Sequence, residues 1–350
     1  MKQRVFLSIV CIISLFAWGS SASPAQPQLP QTQQSPAATI SQTVGISNIE
    51  VVYHRPGVKG RTVWGSLVPY GEVWRAGANE NTTIRFSHDL KVEGQTLQAG
   101  TYGLHMIPTS GTWTIIFSKN STSWGSFFYN QVEDALRVTV APQPADFHEW
   151  LQYEFSDLSD SSAVLSLFWE KLRVPIKLSF DTPGLTMAEA RNTYLRGLAG
   201  FGWQGFNQAA QYAVRNTTDL AQAMKWVDQS IGLNENFNNL RTKATILDKM
   251  GKTAEATALR DKSMKLATEA DLNILGYTYM NGNKMKEAIE VFESNVKAHP
   301  ESWNVYDSLG EALQKKGDKS GAIKNYEKAL KMVGDDQNRK RITGILTKLK

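Results

Sequence analysis

The sequence of 350 residues contains a single cysteine, Cys11, which lies inside an N-terminal apolar run. A mature chain cleaved after that run would hold no cysteine at all. Such a chain has no disulfide to constrain it and no thiolate for catalysis, so hydrophobic cores must stabilise it. The scarcity of cysteine therefore excludes a small disulfide scaffold and cysteine-based chemistry.

Apolar runs of membrane-spanning length are lacking too. The N-terminal run, residues 5–18, follows Lys2 and Arg4 and precedes the small residues 20–22. This order is typical of a secretory signal peptide, and the apolar part is short for a bilayer. No cluster of positive charge follows it, which argues against a retained anchor helix. We expect a cleaved signal peptide over residues 1–22, a periplasmic or secreted location, and no membrane span afterwards.

Charge is absent from residues 23–43, which are rich in Pro, Gln, Ser and Ala. Segments of this composition have little apolar surface to bury and form flexible linkers. The sequence therefore predicts a flexible leader over residues 23–43, ahead of the first folded domain.

Neither sign of charge dominates the chain, which holds 38 Lys and Arg against 33 Asp and Glu. No stripe of basic residues alternates with aromatic ones, so nucleic acid is not an expected partner. The five histidines lack metal-ligating spacing, and the nucleophile-elbow and phosphate-cradling motifs are missing. We therefore expect neither a metal nor a cofactor.

Between residues 44 and 180, apolar residues alternate with period two, as in residues 112–117. Turn signals rich in Gly and Pro separate the alternating segments. This pattern predicts an antiparallel β-sandwich or barrel-like domain of about eight short strands. Six of the ten tryptophans lie in this half, and several are expected in its core.

After residue 180 the pattern becomes helical up to residue 350. The Asp-Thr-Pro-Gly segment 181–184 is interpreted as a stop, and Thr186 with Glu189 as the capping start of the first helix. The sequence therefore predicts a multidomain α+β chain, with the β domain over residues 44–180 and a helical domain over residues 184–350.

The helical half repeats itself with an offset of 34 residues. The repeated pairs are Gly276 and Gly310, Ala288 and Ala322, and Phe292 and Tyr326. This offset, with small residues where two helices approach closely, resembles the tetratricopeptide repeat. Stacked repeats form a concave groove that binds a protein or peptide. The alternative is that a short array only caps or clamps the β domain.

Three motifs occur together in the β half. They are Y-H-R-P-G-V-K-G-R at residues 53–61, V-P-Y-G-E-V-W-R-A-G-A-N at residues 68–79, and A-G-T-Y at residues 99–102. In this order and spacing they resemble a family of secreted bacterial domains, domain-of-unknown-function family 2911, over about residues 44–175. The resemblance implies no activity, because none is assigned to that family.

The predicted strands leave a long connection over residues 56–82. Loops of this length in compact domains are usually functional or disordered, and the Trp and Tyr content argues against disorder. In a structural account, its Arg and Lys side chains pair with Glu72, Glu80 and Asp134, while Trp64 and Trp74 plug one end of the sandwich.

A binding account uses the same connection as a polar and aromatic cleft. Guanidinium groups recognise carboxylate or phosphate, and an aromatic face stacks on a sugar ring. A sugar or an acidic small molecule would suit such a cleft. The candidate ligand-binding residues are Arg55, Lys59, Arg75, Asn79, Glu80 and Trp124.

A catalytic account takes Glu72 and Glu80 as the acid and base of an extracellular carbohydrate hydrolase. Any two carboxylates eight residues apart fit that description, so binding is the favoured function. The expectation is an exported binding protein of unassigned activity, more readily a binding module than an enzyme. A purely structural scaffold is the third alternative.

Overall fold

The computed structural model describes residues 32–350. The predicted signal peptide, residues 1–22, and the first part of the predicted leader lie outside the described residues. Within residues 32–350, none of the helices combines the length and the apolar character that a bilayer-spanning helix needs.

Within the described range, ten antiparallel strands form two sheets. The six-stranded sheet has the order β1-β2-β3-β6-β7-β8, and the four-stranded sheet has the order β5-β4-β10-β9. The strands are β1 Ala37–Val44, β2 Ser47–His54, β3 Thr83–Phe86, β4 Leu90–Val92, β5 Gln95–Leu97, β6 Gly100–Ile107, β7 Trp113–Ser118, β8 Asp134–Val140, β9 Gln143–Ser156 and β10 Ser162–Ser179.

Buried residues of both sheets form one continuous core. Ile84, Leu104 and Ile115 come from the first sheet, and Leu167 and Ile176 come from the second. The alternation in sequence places these side chains on the inner faces. The predicted antiparallel sandwich is confirmed.

The first strand lies within the segment predicted as a flexible leader. β1 pairs with β2 along its whole length, from Ala37 opposite His54 to Val44 opposite Ser47. It is an edge strand whose residues are mostly exposed or half-buried, so small and polar side chains suffice there. The sheet therefore begins at Ala37 rather than at residue 44.

The helices within the described residues follow β10 directly. They are α1 Thr182–Asn192, α2 Trp203–Asn216, α3 Leu220–Leu233, α4 Phe237–Lys249, α5 Thr253–Met264, α6 Glu269–Asn281, α7 Met285–Ala298, α8 Trp303–Lys316, α9 Lys319–Met332 and α10 Asp336–Leu349. From α2 to α9 they pack as consecutive pairs, and α2 contacts α4 while α6 contacts α8. This is a helical repeat array, as predicted.

The start of α1 differs from the prediction. Asp181 is the N-cap, its Oδ1 accepts from the Gly184 backbone N–H at 3.1 Å, and Pro183 lies in the first turn. β10 ends at Ser179, before residues 181–184, but Asp at an N-cap and Pro just inside a helix are start signals, so the predicted helix start at Thr186 was four residues too late. Thr186 lies inside the helix, where its hydroxyl donates to the Thr182 carbonyl.

Candidate functional site

The connection between β2 and β3 is attached to both sheets. Val58 N–H donates to the Glu149 carbonyl in β9 at 2.8 Å. Trp74 exchanges two backbone hydrogen bonds of 2.8 Å with Met106, where β6 extends beyond β3. Residues 55–82 therefore cross one end of the sandwich as an anchored segment, although no strand forms within them.

Four indole rings pack together beneath this segment. The Trp64 ring lies 4.8 Å from Trp113, 5.6 Å from Trp169 and 5.8 Å from Trp74, in edge-to-face arrangements. The Trp74 and Trp169 rings stack with centroids 5.9 Å apart. Such geometries are favourable for aromatic pairs. Trp64 and Trp74 therefore close this end of the core, as the structural account predicted.

The arginines of the segment bind backbone carbonyls. Arg55 Nε donates to the Leu151 carbonyl at 2.9 Å, Arg61 Nη2 to the Gly57 carbonyl at 2.6 Å, and Arg75 Nη1 to the Asn79 carbonyl at 2.6 Å. These bonds fix the loop while leaving the positive charges uncancelled.

The ion pairs of the structural account are wrong. Among the described residues, neither Lys59 nor any of these three arginines forms a salt bridge. Glu80 instead contacts His54 Nε2 at 3.0 Å. Asp134 is bound by Arg137 Nε at 2.5 Å.

A cavity of about 270 Å³ opens under the connection. Lys59, Arg61 and Arg75 line it, together with the indole rings of Trp74 and Trp169. Its described lining contains no Asp or Glu; Glu149 lies close by, and its Oε1 accepts from the Lys59 backbone N–H at 2.9 Å. The cavity is therefore both cationic and aromatic.

The structure brings only two of the six candidate residues to this cavity, Lys59 and Arg75. Arg55 holds the segment to β9 through Leu151. Asn79 adopts a left-handed backbone conformation and donates to the Ser35 carbonyl at 3.1 Å. Glu80 is exposed, and Trp124 is 54% exposed on the loop that follows β7.

Sequence reasoning missed Arg61 and Trp169 as lining residues. Arg61 lies two positions after Lys59 in the same loop. This pair of neighbouring basic residues could have indicated Arg61 as a lining residue. Trp169 belongs to β10, far away in sequence, and its strand pattern indicates only a core position. No local feature of the sequence connects it to the loop.

Arg75 is enclosed by its neighbours. Its guanidinium lies 5.4 Å from the Phe127 ring centroid, and a Cβ at Gly125 would collide with it. Gly125 also has a φ of 61°, which favours glycine. Burial lowers the pKa of Arg75 below its ordinary value.

His105 lies next to this region on β6, and it is 2% exposed. Its Nδ1 is 2.9 Å from Ser126 Oγ. Burial lowers the pKa of His105 to about 4, while the Asp134 charge acts in the opposite direction and Arg75 in the same direction. The imidazole is therefore neutral at neutral pH.

This shift predicts a pH-dependent stability. Between pH 6.5 and 4 the unfolded chain binds a proton at His105 that the folded protein does not, so stability falls as the pH is lowered. We expect a loss of about 2 kcal/mol from pH 7 to pH 5 from this residue. Urea unfolding of the parent and of His105→Gln across this range measures the contribution. An equal pH slope in both proteins would contradict the assignment.

A second concave surface, the helical groove, lies along α2, α4 and α6. It encloses about 620 Å³, and its lining residues are Gln211, Val214, Arg215, Phe237, Asn238, Arg241, Thr242, Thr245, Asp271, Ile274, Leu275 and Thr278. The Arg241 guanidinium lies 5.3 Å from the Phe237 ring centroid, and Nη2 donates to Tyr279 Oη at 3.3 Å. Ile274 is 67% exposed.

Comparison with known proteins identifies the two parts of the chain. Residues 35–178 match the family described as protein of unknown function DUF2911, and residues 304–332 match a tetratricopeptide repeat. The match to that family covers the N-terminal sandwich, and the tetratricopeptide repeat match lies in the helical array that follows it. Both resemblances predicted from the motifs are confirmed.

Several solved structures are similar to the helical half. MamA residues 41 to the end from Desulfovibrio magneticus RS-1 is 19% identical, with 42% of this chain and 82% of that chain covered and a TM-score of 0.27. YrrB, a TPR protein with an unusual peptide-binding site, is 15% identical, with 46% of this chain and 84% of that chain covered and a TM-score of 0.27. The C-terminal part of a TPR repeat-containing protein from Cytophaga hutchinsonii is 14% identical, with 46% of this chain and 65% of that chain covered and a TM-score of 0.29. No curated protein matches the chain.

Proposed function

We propose that the chain is an exported binding protein with two recognition sites. The helical groove engages a peptide or a segment of a protein, and the β-domain cavity receives a small polar ligand. The observation that carries the proposal is the open groove along α2, α4 and α6, which combines apolar side chains with fixed donors. In this proposal the chain consists of a signal peptide at residues 1–22, a flexible leader, the β domain and the helical array from residue 184.

Charge favours an acidic occupant of the helical groove. Arg215 and Arg241 are its two cations. Its carboxylate, Asp271, already accepts from the Thr268 backbone N–H at 3.0 Å and from Asn238 Nδ2 at 3.2 Å. Complementary charge raises both selectivity and association rate. The groove therefore suits an extended segment that carries Asp or Glu beside apolar residues.

Arg241 is preorganised for this task. The Phe237 ring and the Tyr279 hydroxyl hold its guanidinium, so little side-chain freedom is lost on binding. Ile274 and Thr278 stand exposed one helical turn apart on α6. They offer an apolar and a polar contact along the same segment.

The test uses fluorescently labelled eight-residue peptides, one series rich in Asp and Glu and one rich in Lys and Arg. Fluorescence anisotropy should show binding of the acidic series to the full mature chain. Arg241→Glu should weaken it at least tenfold, because it reverses the held charge. Lys297→Glu on α7, outside the groove, is the matched control and should change nothing. Equal binding of both series, or equal losses in both variants, would refute the proposal.

The carbohydrate-hydrolase alternative gains no support from the cavity. Neither Glu72 nor Glu80 lines it, and Glu80 contacts His54. The scaffold alternative requires that neither concave surface binds anything. The export part of the proposal depends on the pattern of residues 1–22, and fractionation of the host cell tests it.

A further inference from the structure

We propose that the β-domain cavity is an anion site, in which Lys59, Arg61 and Arg75 hold the carboxylate or phosphate group of a small organic molecule. This inference rests on the proposed role of the cavity as a ligand site, and it names the chemical class of the ligand.

The positive charge of this cavity is uncompensated. The three cations line one cavity, its described lining contains no acid, and none of the three forms a salt bridge within residues 32–350. The nearby Glu149 carboxylate accepts from the Lys59 backbone N–H and forms no salt bridge with any of the three cations. Cations placed together repel one another, and a bound anion removes that cost.

The arginines of the cavity keep hydrogen-bond donors that their backbone contacts do not use. Each guanidinium has five N–H groups in a planar fork. Arg61 uses its Nε–H and one Nη2–H for the carbonyls of Val58 and Gly57, which leaves three N–H groups. Arg75 uses one Nη1–H for the Asn79 carbonyl, which leaves four. The backbone bonds fix both side chains in place, so these donors are preorganised for an oxyanion.

One residue of the cavity wall carries a buried donor without a partner. Trp169 is 1% exposed and lines the cavity, and its Nε1–H has no hydrogen-bond acceptor among the described residues. The neighbouring Trp74 Nε1–H does donate, to the Gly77 carbonyl at 3.2 Å. An unsatisfied buried donor costs about 1–3 kcal/mol, so native proteins rarely keep one without a reason. A ligand oxygen that reaches this N–H would satisfy it.

The cavity also limits the size and shape of the ligand. Its volume of about 270 Å³ lies just below the usual range for small-molecule sites. Two indole rings form part of its wall and offer an apolar surface beside the cations. The occupant is therefore a small organic acid or sugar phosphate rather than a polymer, with the anionic group toward the cations.

The test is calorimetric titration of the full mature chain at pH 7.5 with four probes: citrate, glucose 6-phosphate, inorganic phosphate and glucose. Citrate or glucose 6-phosphate should bind, glucose should bind at least 100-fold more weakly, and added NaCl should weaken the anions. If inorganic phosphate binds as tightly as glucose 6-phosphate, the cavity recognises the phosphate group alone. If citrate binds more tightly than both phosphate probes, the ligand is a carboxylate.

Two variants and one control assign the site. Lys59→Gln is the clean variant, because the Lys59 side chain makes no hydrogen bond or salt bridge within residues 32–350, and its Nζ lies 6.0 Å from the Trp150 ring centroid. Arg61→Gln is the second variant, and thermal unfolding by circular dichroism checks its fold. Each should weaken the anion at least tenfold. Lys177→Gln, an exposed lysine about 25 Å along β10 from Trp169, should leave binding unchanged.

The failures are distinguishable. If glucose binds as tightly as glucose 6-phosphate and Lys59→Gln has no effect, the anion inference is overturned while the cavity stays a ligand site. If none of the four probes binds at millimolar concentration, the anion inference is overturned, and the peptide test of the helical groove is unaffected. Equal losses in Lys59→Gln and Lys177→Gln would also overturn it.

Discussion

Replacing Trp113 with alanine should destabilise the β domain by about 3–5 kcal/mol, the usual cost of truncating a buried tryptophan. Trp113 is 0% exposed, and its ring packs 4.8 Å from that of Trp64. Its Nε1–H also donates to the Thr109 carbonyl at 3.0 Å. The variant loses buried area and a hydrogen bond, and it leaves a cavity where the connection crosses the core. Urea unfolding followed by near-ultraviolet circular dichroism measures the loss.

Two conservative variants separate the hydrogen bond from the packing. Trp113→Phe removes an indole N–H that has an acceptor, whereas Trp169→Phe removes one that has none among the described residues. Because both tryptophans are buried, their packing losses should be similar. Trp113→Phe should therefore cost about 1 kcal/mol more than Trp169→Phe. A larger loss for Trp169→Phe would mean that its N–H is satisfied in the folded protein.

Phe292→Ala should cost the helical array about 3–5 kcal/mol. Phe292 lies on α7, and its side chain is 0% exposed. Its ring makes an edge contact with the Tyr277 ring of α6, with the two centroids 5.2 Å apart. It fits there because position 276 is glycine: a Cβ at Gly276 would lie 2.5 Å from the Phe292 ring. Helical circular dichroism during denaturant unfolding measures the effect.

A double-mutant cycle tests this fit. Gly276→Ala alone should destabilise the array by about 1–3 kcal/mol through overpacking. In the Phe292→Ala background the same change should stabilise it by about 0.5–1 kcal/mol, because the clash is gone and Ala favours a helix. Gly232→Ala in α3, where an added Cβ meets nothing within 4 Å, is the control. An additive cycle would contradict the proposed close approach.

Two periodicities in the sequence made the architecture predictable. Period-two alternation placed the inward residues of strands such as β7. The 34-residue offset indicated Gly276 and Gly310 as points of close helix approach, and in the structure they face the rings of Phe292 and Tyr326. Each signal comes from side chains that must be buried on one face, so sequence alone carries it.

Strand β1 and the start of α1 escaped prediction for different reasons. β1 is an edge strand without charge and with little burial, so its composition resembles a linker. In the 181–184 segment, Pro and Gly are typical of a break, but a Pro in the first turn after an Asp cap is typical of a helix start.

The candidate site was predictable only in part. Residues 56–82 stand out as a long aromatic connection, and Lys59 and Arg75 were found from their charge. Whether an arginine contacts a carboxylate, a carbonyl or a cavity depends on partners such as Leu151 and Trp169, which are distant in sequence. Tertiary contacts decide this, and local spacing does not encode them.

A crystal structure of the protein grown with glucose 6-phosphate tests most directly whether this connection is a ligand site. Our account predicts the phosphate group bonded to Lys59, Arg61 and Arg75, with a ligand oxygen within hydrogen-bond distance of Trp169 Nε1. A structure at saturating ligand in which the cavity is closed, with Lys59 and Arg61 bound to acidic side chains of the protein, would contradict it.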